Sequence, residues 1–174
     1  MLESAWGIII HPYTGKLLFT TKLGNTKKEA EEAKQKSLWM NEKEIMKAFK
    51  IEFAKWQIEN NESAYDAALF EIEEEAGAKK ENLRLLEDLW HYIKNKKGQE
   101  EKKVSMYLFR LLEDQEVYTP TDGRHISDFF SLDEALLLLK KKEQKLFLKQ
   151  NKDLLTGYIA EIRNTCKKMY TIDQ

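Results

Sequence analysis

The sequence has few of the features that would place the protein outside the cytoplasm or in a membrane. It contains one cysteine, Cys166, so no disulfide can form within the chain, and this favours a reducing compartment. No apolar run approaches the length of a membrane span, and residues 1–4 lack the positive charge that opens a secretory signal. We therefore expect a cytoplasmic protein with no membrane partner.

The chain also lacks a dominant charge of one sign. It carries 29 lysines and arginines against 30 aspartates and glutamates, a formal net charge of −1. General nucleic-acid binders present a basic field, so we do not expect general nucleic-acid binding. With 42% hydrophobic residues, no repeat and no low-complexity linker, the 174 residues predict a single domain with a substantial core.

The strongest chemical signal is a run of glutamates that ends before Gly77. On a helix with about 100° per residue, Glu71, Glu74 and Glu75 share one side of a single turn and border an apolar stripe. Like charges at this spacing destabilise a helix by roughly 0.2–0.5 kcal/mol per pair, so a cluster beside a packed face favours a bound cation. Mg²⁺ prefers such oxygen ligands. The alternative is a solvated acidic face, which is common in chains as highly charged as this one.

The limits of this helix are marked in the sequence. Ser63 and Asp66 have the S-x-x-D spacing of a capping box, which favours a helix start near residue 63. Gly77 is a typical helix stop. We therefore predict a helix over about residues 63–76 that carries all three glutamates.

Residues 56–78 resemble the sequence box of the Nudix hydrolases, which is G-x5-E-x7-R-E-U-x-E-E-x-G-U, where U is aliphatic. The chain keeps five of the seven invariant letters in register: Glu62, Glu71, Glu74, Glu75 and Gly77. Two letters differ, because Trp56 replaces the first glycine and Phe70 replaces the arginine.

The flanking sequence supports this resemblance. Residues 53–59 are similar to the F-P-K-G-x-x-E entry of the branch that hydrolyses dinucleoside tetraphosphates and diphosphoinositol phosphates, and residues 129–136 are similar to the closing segment of the family. The resemblance extends over about residues 4–155. It implies an α/β fold, an α/β/α sandwich with a mixed β-sheet, with a helical segment inserted before the box at about 25–50 and C-terminal helices at about 131–170.

The resemblance also implies an activity. Members of the family hydrolyse a nucleoside diphosphate linked to another moiety, and they use Mg²⁺ or Mn²⁺. By this resemblance Glu71, Glu74 and Glu75 would be the metal ligands and catalytic residues, and Lys55 and Trp56 would bind a small nucleotide or pyrophosphate substrate.

The two departures from the box leave a second interpretation open. Glycine is used where φ is positive or where a ligand approaches the backbone, and tryptophan suits neither role. Phe70 cannot neutralise the carboxylates as an arginine would. Lys55, Lys79 or Lys80 could supply the missing charge. The alternative is therefore a Nudix-fold binding or regulatory protein with weak or no turnover.

The inserted segment, residues 25–50, is a helix candidate because it is rich in Glu, Lys and Ala. We expect it to bury six large apolar side chains: Leu38, Trp39, Met40, Ile45, Met46 and Phe49. Either the segment covers one edge of the sheet, or Trp39 and Met40 form a lid or a partner surface.

Two histidines and three aromatic residues are secondary candidates. His91 and His125 could each serve as a supplementary base or phosphate contact, although isolated histidines are more often structural. Trp90, Tyr92 and Tyr107 could stack on a nucleobase, but strand aromatics more often pack a core.

Overall fold

The computed structural model describes residues 2–58, 62–94, 97–98, 100–112 and 118–172. Within these residues one mixed sheet contains six strands. The strands are Leu2–Ile10 (β1), Leu17–Lys22 (β2), Ala54–Gln57 (β3), Leu83–Lys94 (β4), Glu100–Leu111 (β5) and His125–Phe130 (β6).

The described residues also form six α-helices and a 3₁₀ turn at Lys80–Asn82. The helices are Lys27–Lys36 (α1), Glu42–Phe49 (α2), Ala64–Ala76 (α3), Leu132–Leu138 (α4), Lys142–Gln150 (α5) and Lys152–Ile172 (α6). Four of them begin at a side chain that accepts a backbone N–H of the first turn: Thr26, Asn41, Ser63 and Ser131. Each such cap stabilises its helix by about 1 kcal/mol. None of the helices described is long and apolar enough to cross a membrane.

The strand order is β4-β5-β1-β2-β6, and β3 pairs with the first half of β1. β1 and β5 are parallel, whereas the other pairs are antiparallel. Apolar residues of α3 pack on one face of the sheet, and those of α2, α4, α5 and α6 pack on the other. The predicted α/β sandwich with a mixed sheet is thus confirmed.

Alternation along β1 divides the core into two layers. Trp6 and Ile8 enter the larger cluster with the C-terminal helices, while Ala5 and Ile9 enter the smaller cluster with α3. Successive residues of a strand point to opposite faces, so one strand serves both layers. Burying each large aliphatic side chain contributes roughly 1.5–3 kcal/mol.

Helix α3 lies unusually close to β1 because small residues separate them. A Cβ added to Gly7 would be 2.3 Å from Cδ1 of Ile72, and Ala67 and Ala68 are fully buried in the same layer. A larger residue at position 7 would push the helix away from the sheet. This close approach fixes the position of the glutamates that follow on α3.

The inserted segment contains α1 and α2, but its expected burial is partly wrong. Ile45 and Met46 are buried, whereas Leu38 and Trp39 are 81% and 82% exposed and Phe49 is 43% exposed. Leu38 and Trp39 belong to the turn between the two helices, so neither helix directs them towards the core. α2 contacts β2 and the edge strand β6, which agrees with the interpretation that this segment covers a sheet edge.

The hairpin between β4 and β5 is also longer than expected. The sequence predicted a strand at 83–92, a charged loop at 94–103 and a strand at 104–110. In the structure β4 continues to Lys94 and β5 begins at Glu100. The strand register continues through the segment expected to be a loop, and it pairs Tyr92 with Lys103 and Lys94 with Glu100.

The end of α3 generates a first prediction. Gly77 has φ of +75°, and a Cβ there would lie 2.6 Å from backbone atoms of Thr119. Gly98 has nearly the same φ, +78°, with no atom within 4 Å of an added Cβ. In urea unfolding, we expect Gly98→Ala to cost about 1 kcal/mol and Gly77→Ala to cost clearly more, roughly 2–4 kcal/mol. Equal losses would mean that the Thr119 segment does not pack on the end of α3.

Candidate active site

The three box glutamates lie in the last turns of α3 and differ in burial. Glu71 is only 2% exposed, because it adjoins Ile72 on the side of the helix that faces the sheet. Glu74 and Glu75 are half-buried, and Glu73 is exposed. The predicted helix from Ser63 to the Gly77 stop is confirmed, and it brings Glu71 and Glu75 to one side of the same element.

Glu71 is a buried carboxylate with an unsatisfied oxygen. Its Oε1 atom has no hydrogen-bond partner in the part of the chain that the structure describes. Burial raises the pKa of Glu71 to about 8, helped by the nearby charges of Glu75, Glu74 and Asp122, while Arg124 acts in the opposite direction. An unpaired buried oxygen is costly, so this carboxylate favours either a proton or a bound cation.

Glu75 is better satisfied than Glu71. Its Oε2 accepts a hydrogen bond from the backbone N–H of Lys55 at 3.2 Å, and its Oε1 lies 3.3 Å from Nε2 of His125. Burial raises the pKa of Glu75, although His125 and the Lys55 N–H partly offset this effect. Glu75 thus contacts β3, the first strand of the box, and His125 at the start of β6. Through His125 it is connected to the loop before β6.

That loop is organised by Asp122, a residue that the sequence did not indicate. Its Oδ1 accepts the backbone N–H groups of Arg124 and His125 at 2.8 and 3.0 Å, and its Oδ2 lies 2.6 Å from Nδ1 of His125. Burial alone would raise the pKa of Asp122, but these hydrogen bonds from Arg124 and His125 outweigh it, and the pKa lies below its ordinary value. The N–H of Thr121 donates to the Glu74 carbonyl at 2.9 Å and ties the loop to α3.

His125 therefore links Asp122 to Glu75. Both ring nitrogens face carboxylate oxygens, and the ring is buried. A doubly protonated ring would donate to both carboxylates, whereas a neutral ring donates to only one. A ring that donates through Nε2 would hold Glu75 in a fixed orientation, in the way that a carboxylate–histidine pair orients a metal ligand.

The positive charge near the glutamates comes from this loop and from Lys55 on β3, one of the expected substitutes, which acts on Glu75. Arg124 acts on Glu71 and also bonds Asp122 through Nε at 3.2 Å. Phe70, which replaces the box arginine, is 61% exposed. The expected substitutes Lys79 and Lys80 are exposed beside the 3₁₀ turn, and neither is among the charges that act on Glu71. The sequence signal for this loop is the spacing D-x-R-H at residues 122–125. An aspartate side chain commonly accepts the backbone N–H groups of the residues two and three positions later in the chain.

Trp56 does not strain the backbone. It lies in β3 opposite Ala5, and Lys50 is the one non-glycine residue with positive φ among the residues described. Residue 56 therefore has a regular strand conformation, which tryptophan adopts without strain. The positive φ that would require glycine is not used at this position. The indole is 37% exposed, and the Lys55 ammonium pairs with Glu52.

Of the other candidates, the structure describes the side chains of Tyr107 and Trp90. Tyr107 is buried, with its ring centroid 5.3 Å from that of Tyr65, so it packs the layer that contains α3. Trp90 is 65% exposed on β4. The side chains of His91 and Tyr92 lie outside the described part of the structure.

The donor set fits a hard divalent cation. As they stand, no three histidine, cysteine, aspartate or glutamate side chains of the described residues converge as metal ligands. Mg²⁺, however, commonly uses one or two carboxylates together with waters and substrate phosphates. The unsatisfied Oε1 of Glu71 and the neighbouring carboxylates of Glu74 and Glu75 provide oxygen ligands of that kind.

Comparisons with known proteins identify the family and support the fold. The model of the NUDIX domain matches residues 5–150, so the chain belongs to the Nudix family. One similar structure is an Ap4A hydrolase from C. elegans, with 18% identity and a TM-score of 0.62 over 90% of this chain and 99% of that one. Another is a Nudix hydrolase from M. smegmatis, with 10% identity and a TM-score of 0.60 over 89% of this chain and 86% of that one.

A third structure is the E. coli dihydroneopterin triphosphate pyrophosphohydrolase, with 16% identity and a TM-score of 0.53 over 85% of this chain and 92% of that one. At these identities the likeness shows the fold. No curated protein matches the sequence significantly.

The raised pKa of Glu71 generates a second prediction. Unfolded Glu71 loses its proton near its ordinary pKa of 4.5, while folded Glu71 keeps it to about pH 8. Between these values the folded state binds more protons, so the free energy of unfolding must fall as pH rises, by at most about 1.4 kcal/mol per pH unit from this residue.

We expect urea unfolding in EDTA to show this fall between about pH 5.5 and pH 8. Glu71→Gln should flatten the dependence and be more stable than the original chain at the higher pH. The matched control is Glu73→Gln, because Glu73 is exposed on the same turn. A Glu71→Gln profile that falls as steeply as the original would contradict the assignment.

Proposed function

We propose that the chain is a metal-dependent hydrolase of the diphosphate bond in a nucleoside diphosphate linked to another moiety. The observation that carries the proposal is the buried Glu71, whose unsatisfied oxygen and raised pKa require a proton or a cation. Membership of the Nudix family supports the same reaction class. A bound Mg²⁺ or Mn²⁺ would neutralise phosphate oxygens and lower the pKa of an attacking water.

The residues of the site divide this work. Glu71, Glu74 and Glu75 would hold the ion, and Glu71 or Glu75 would accept the proton of the water. Asp122 and His125 orient Glu75 through the contacts at 2.6 and 3.3 Å.

Lys55 and Trp56 lie on β3, and β3 contacts the helix that carries the glutamates, α3. Lys55 and Trp56 would contact the substrate. The exposed indole of Trp56 provides a flat apolar surface for a base.

The substrate class rests on chain features and on the similar structures. By their names, one similar structure is an Ap4A hydrolase and another is a dihydroneopterin triphosphate pyrophosphohydrolase, so nucleotides and dinucleotides with phosphoanhydride bonds are the first substrates to test. A small-molecule substrate and a cytoplasmic location belong to the same proposal, since the single cysteine suits a reducing compartment.

The binding or regulatory alternative is favoured by one observation, the exposed Phe70 in place of the box arginine. Against it, Arg124 already brings a guanidinium to act on Glu71, so the loss of the box arginine does not leave the carboxylates uncompensated. The strand conformation at Trp56 answers the objection from backbone strain. Hydrolysis is therefore the function that the site supports best.

A direct test is a screen of nucleotide and dinucleotide pyrophosphates, including Ap4A, with Mg²⁺ and with Mn²⁺. We expect turnover with one or both metals, and a loss of at least about a hundredfold in kcat for Glu71→Gln and for Glu75→Gln. Glu73→Gln should keep the original rate, because its side chain points to solvent. No turnover with any substrate, combined with tight nucleotide binding, would favour the regulatory alternative.

The role of Arg124 gives a further prediction. Arg124→Gln should lower kcat/KM by about tenfold, equivalent to about 1.4 kcal/mol, because one charge-assisted contact to the carboxylate cluster is lost. Phe70 is exposed and one turn before Glu74, so adding Phe70→Arg in the Arg124→Gln background should recover part of the loss. Unchanged activity in Arg124→Gln would show that the loop does not supply the missing charge.

A further inference from the structure

Two arginines face each other across the β4–β5 pair. Arg84 and Arg110 are register partners on these antiparallel strands. Residues directly opposite have Cβ atoms about 4.5–5.5 Å apart, and like charges in this position destabilise the pair. Their neighbours Leu83, Phe109 and Leu111 pack in the layer with α3, so alternation directs both arginines to the other face of the sheet, beneath α6.

Arg84 and Arg110 line a cleft of about 340 Å³ between the sheet and α6. This volume is within the range of small-molecule sites, which begins near 300 Å³. Leu86 and Ile162 supply an apolar floor, and both pack in or against the larger core cluster. Because the sheet separates this cleft from α3, it is distinct from the glutamate site.

Neither arginine is neutralised within the described residues. No carboxylate of those residues lies within 4.0 Å of either guanidinium. Among the same residues, the one hydrogen bond of the two side chains is long: Nε of Arg110 donates to the Leu111 carbonyl at 3.5 Å. Glu161 lines the cleft without pairing with them. Glu87, on the same strand as Arg84, accepts a hydrogen bond from the hydroxyl of Tyr158 instead. Among the described residues that line the cleft, two are arginines and one is a glutamate, so this lining carries one positive charge in excess.

We propose that this cleft binds a phosphate monoester that carries a small apolar or aromatic group. A phosphate is a single tetrahedral acceptor that can bridge two guanidinium groups one strand apart, and arginine forks bind it bidentately. Binding would remove the repulsion between Arg84 and Arg110. The apolar group would cover Leu86 and Ile162 and pack beside the Tyr158 ring, which also lines the cleft.

The test uses the full chain with labelled Ile and Leu methyl groups, in EDTA, titrated with phenyl phosphate and followed by NMR. We expect the Ile162 and Leu86 methyl signals to shift and saturate. Arg84→Gln and Arg110→Gln should each weaken binding by about tenfold or more. Both variants should fold, since either one removes a like-charge contact from the sheet.

Two controls make the result specific. Arg163→Gln changes an exposed arginine of α6 that does not line the cleft, and it should bind as the original chain does. Glu75→Gln should also bind normally, so the outcome is independent of the proposed hydrolysis. Benzoate, an anion with the same ring, should bind at least about tenfold more weakly than phenyl phosphate.

Three results would overturn the proposal. They are an absence of methyl shifts up to about 10 mM phenyl phosphate, equal affinity for benzoate, and unchanged affinity in both arginine variants.

Discussion

The burial of the Glu71 carboxylate is the constraint on which the rest of the site depends. A carboxylate that is 2% exposed, with one oxygen unsatisfied, would ordinarily be replaced by an apolar residue in a packed layer. Two glycines fix the position of this carboxylate. Gly7 allows Ile72 of α3 to pack close to β1, and Gly77 ends α3 against Thr119. The stability of the sandwich thus holds in place a carboxyl group whose charged form is unfavourable without a partner.

The loop before β6 makes this burial tolerable. Asp122 accepts four hydrogen bonds or ion contacts from Arg124 and His125, and through them it places a guanidinium near Glu71 and an imidazole on Glu75. Asp122 itself adds negative charge to the cluster, so the loop orients the glutamates more than it neutralises them. A cation is still required for full compensation, and this is why the geometry supports a metal-dependent reaction.

The sequence predicted the box helix well because its signals are local. The Ser63 cap, the Gly77 stop and the spacing of the glutamates lie within one element, and the sheet type followed from the family resemblance. His125 was a candidate by its residue type, but its place between Asp122 and Glu75 could not be predicted in the same way. Asp122 and His125 lie about fifty residues after Glu75, and only the pairing of β2 with β6 brings them to the end of α3.

The outward position of Leu38 and Trp39 was missed for a similar reason, since composition shows that residues favour a helix but does not show where a turn interrupts it. Likewise, the arginine pair became visible only in the strand register. Arg84 and Arg110 are far apart in the chain and belong to no sequence motif. Only the pairing of β4 with β5 places them opposite each other.

The most direct test of the central claim is to count the protons released when Mg²⁺ or Mn²⁺ binds, by calorimetry at pH 7 in buffers with different ionisation enthalpies. Because the pKa of Glu71 is raised to about 8, most of the metal-free protein carries a proton there, and a metal ligand must be ionised. The account predicts release of nearly one proton per ion by the original chain and by Glu73→Gln, and much less by Glu71→Gln. Metal binding without proton release, or with the same release in Glu71→Gln, would contradict it.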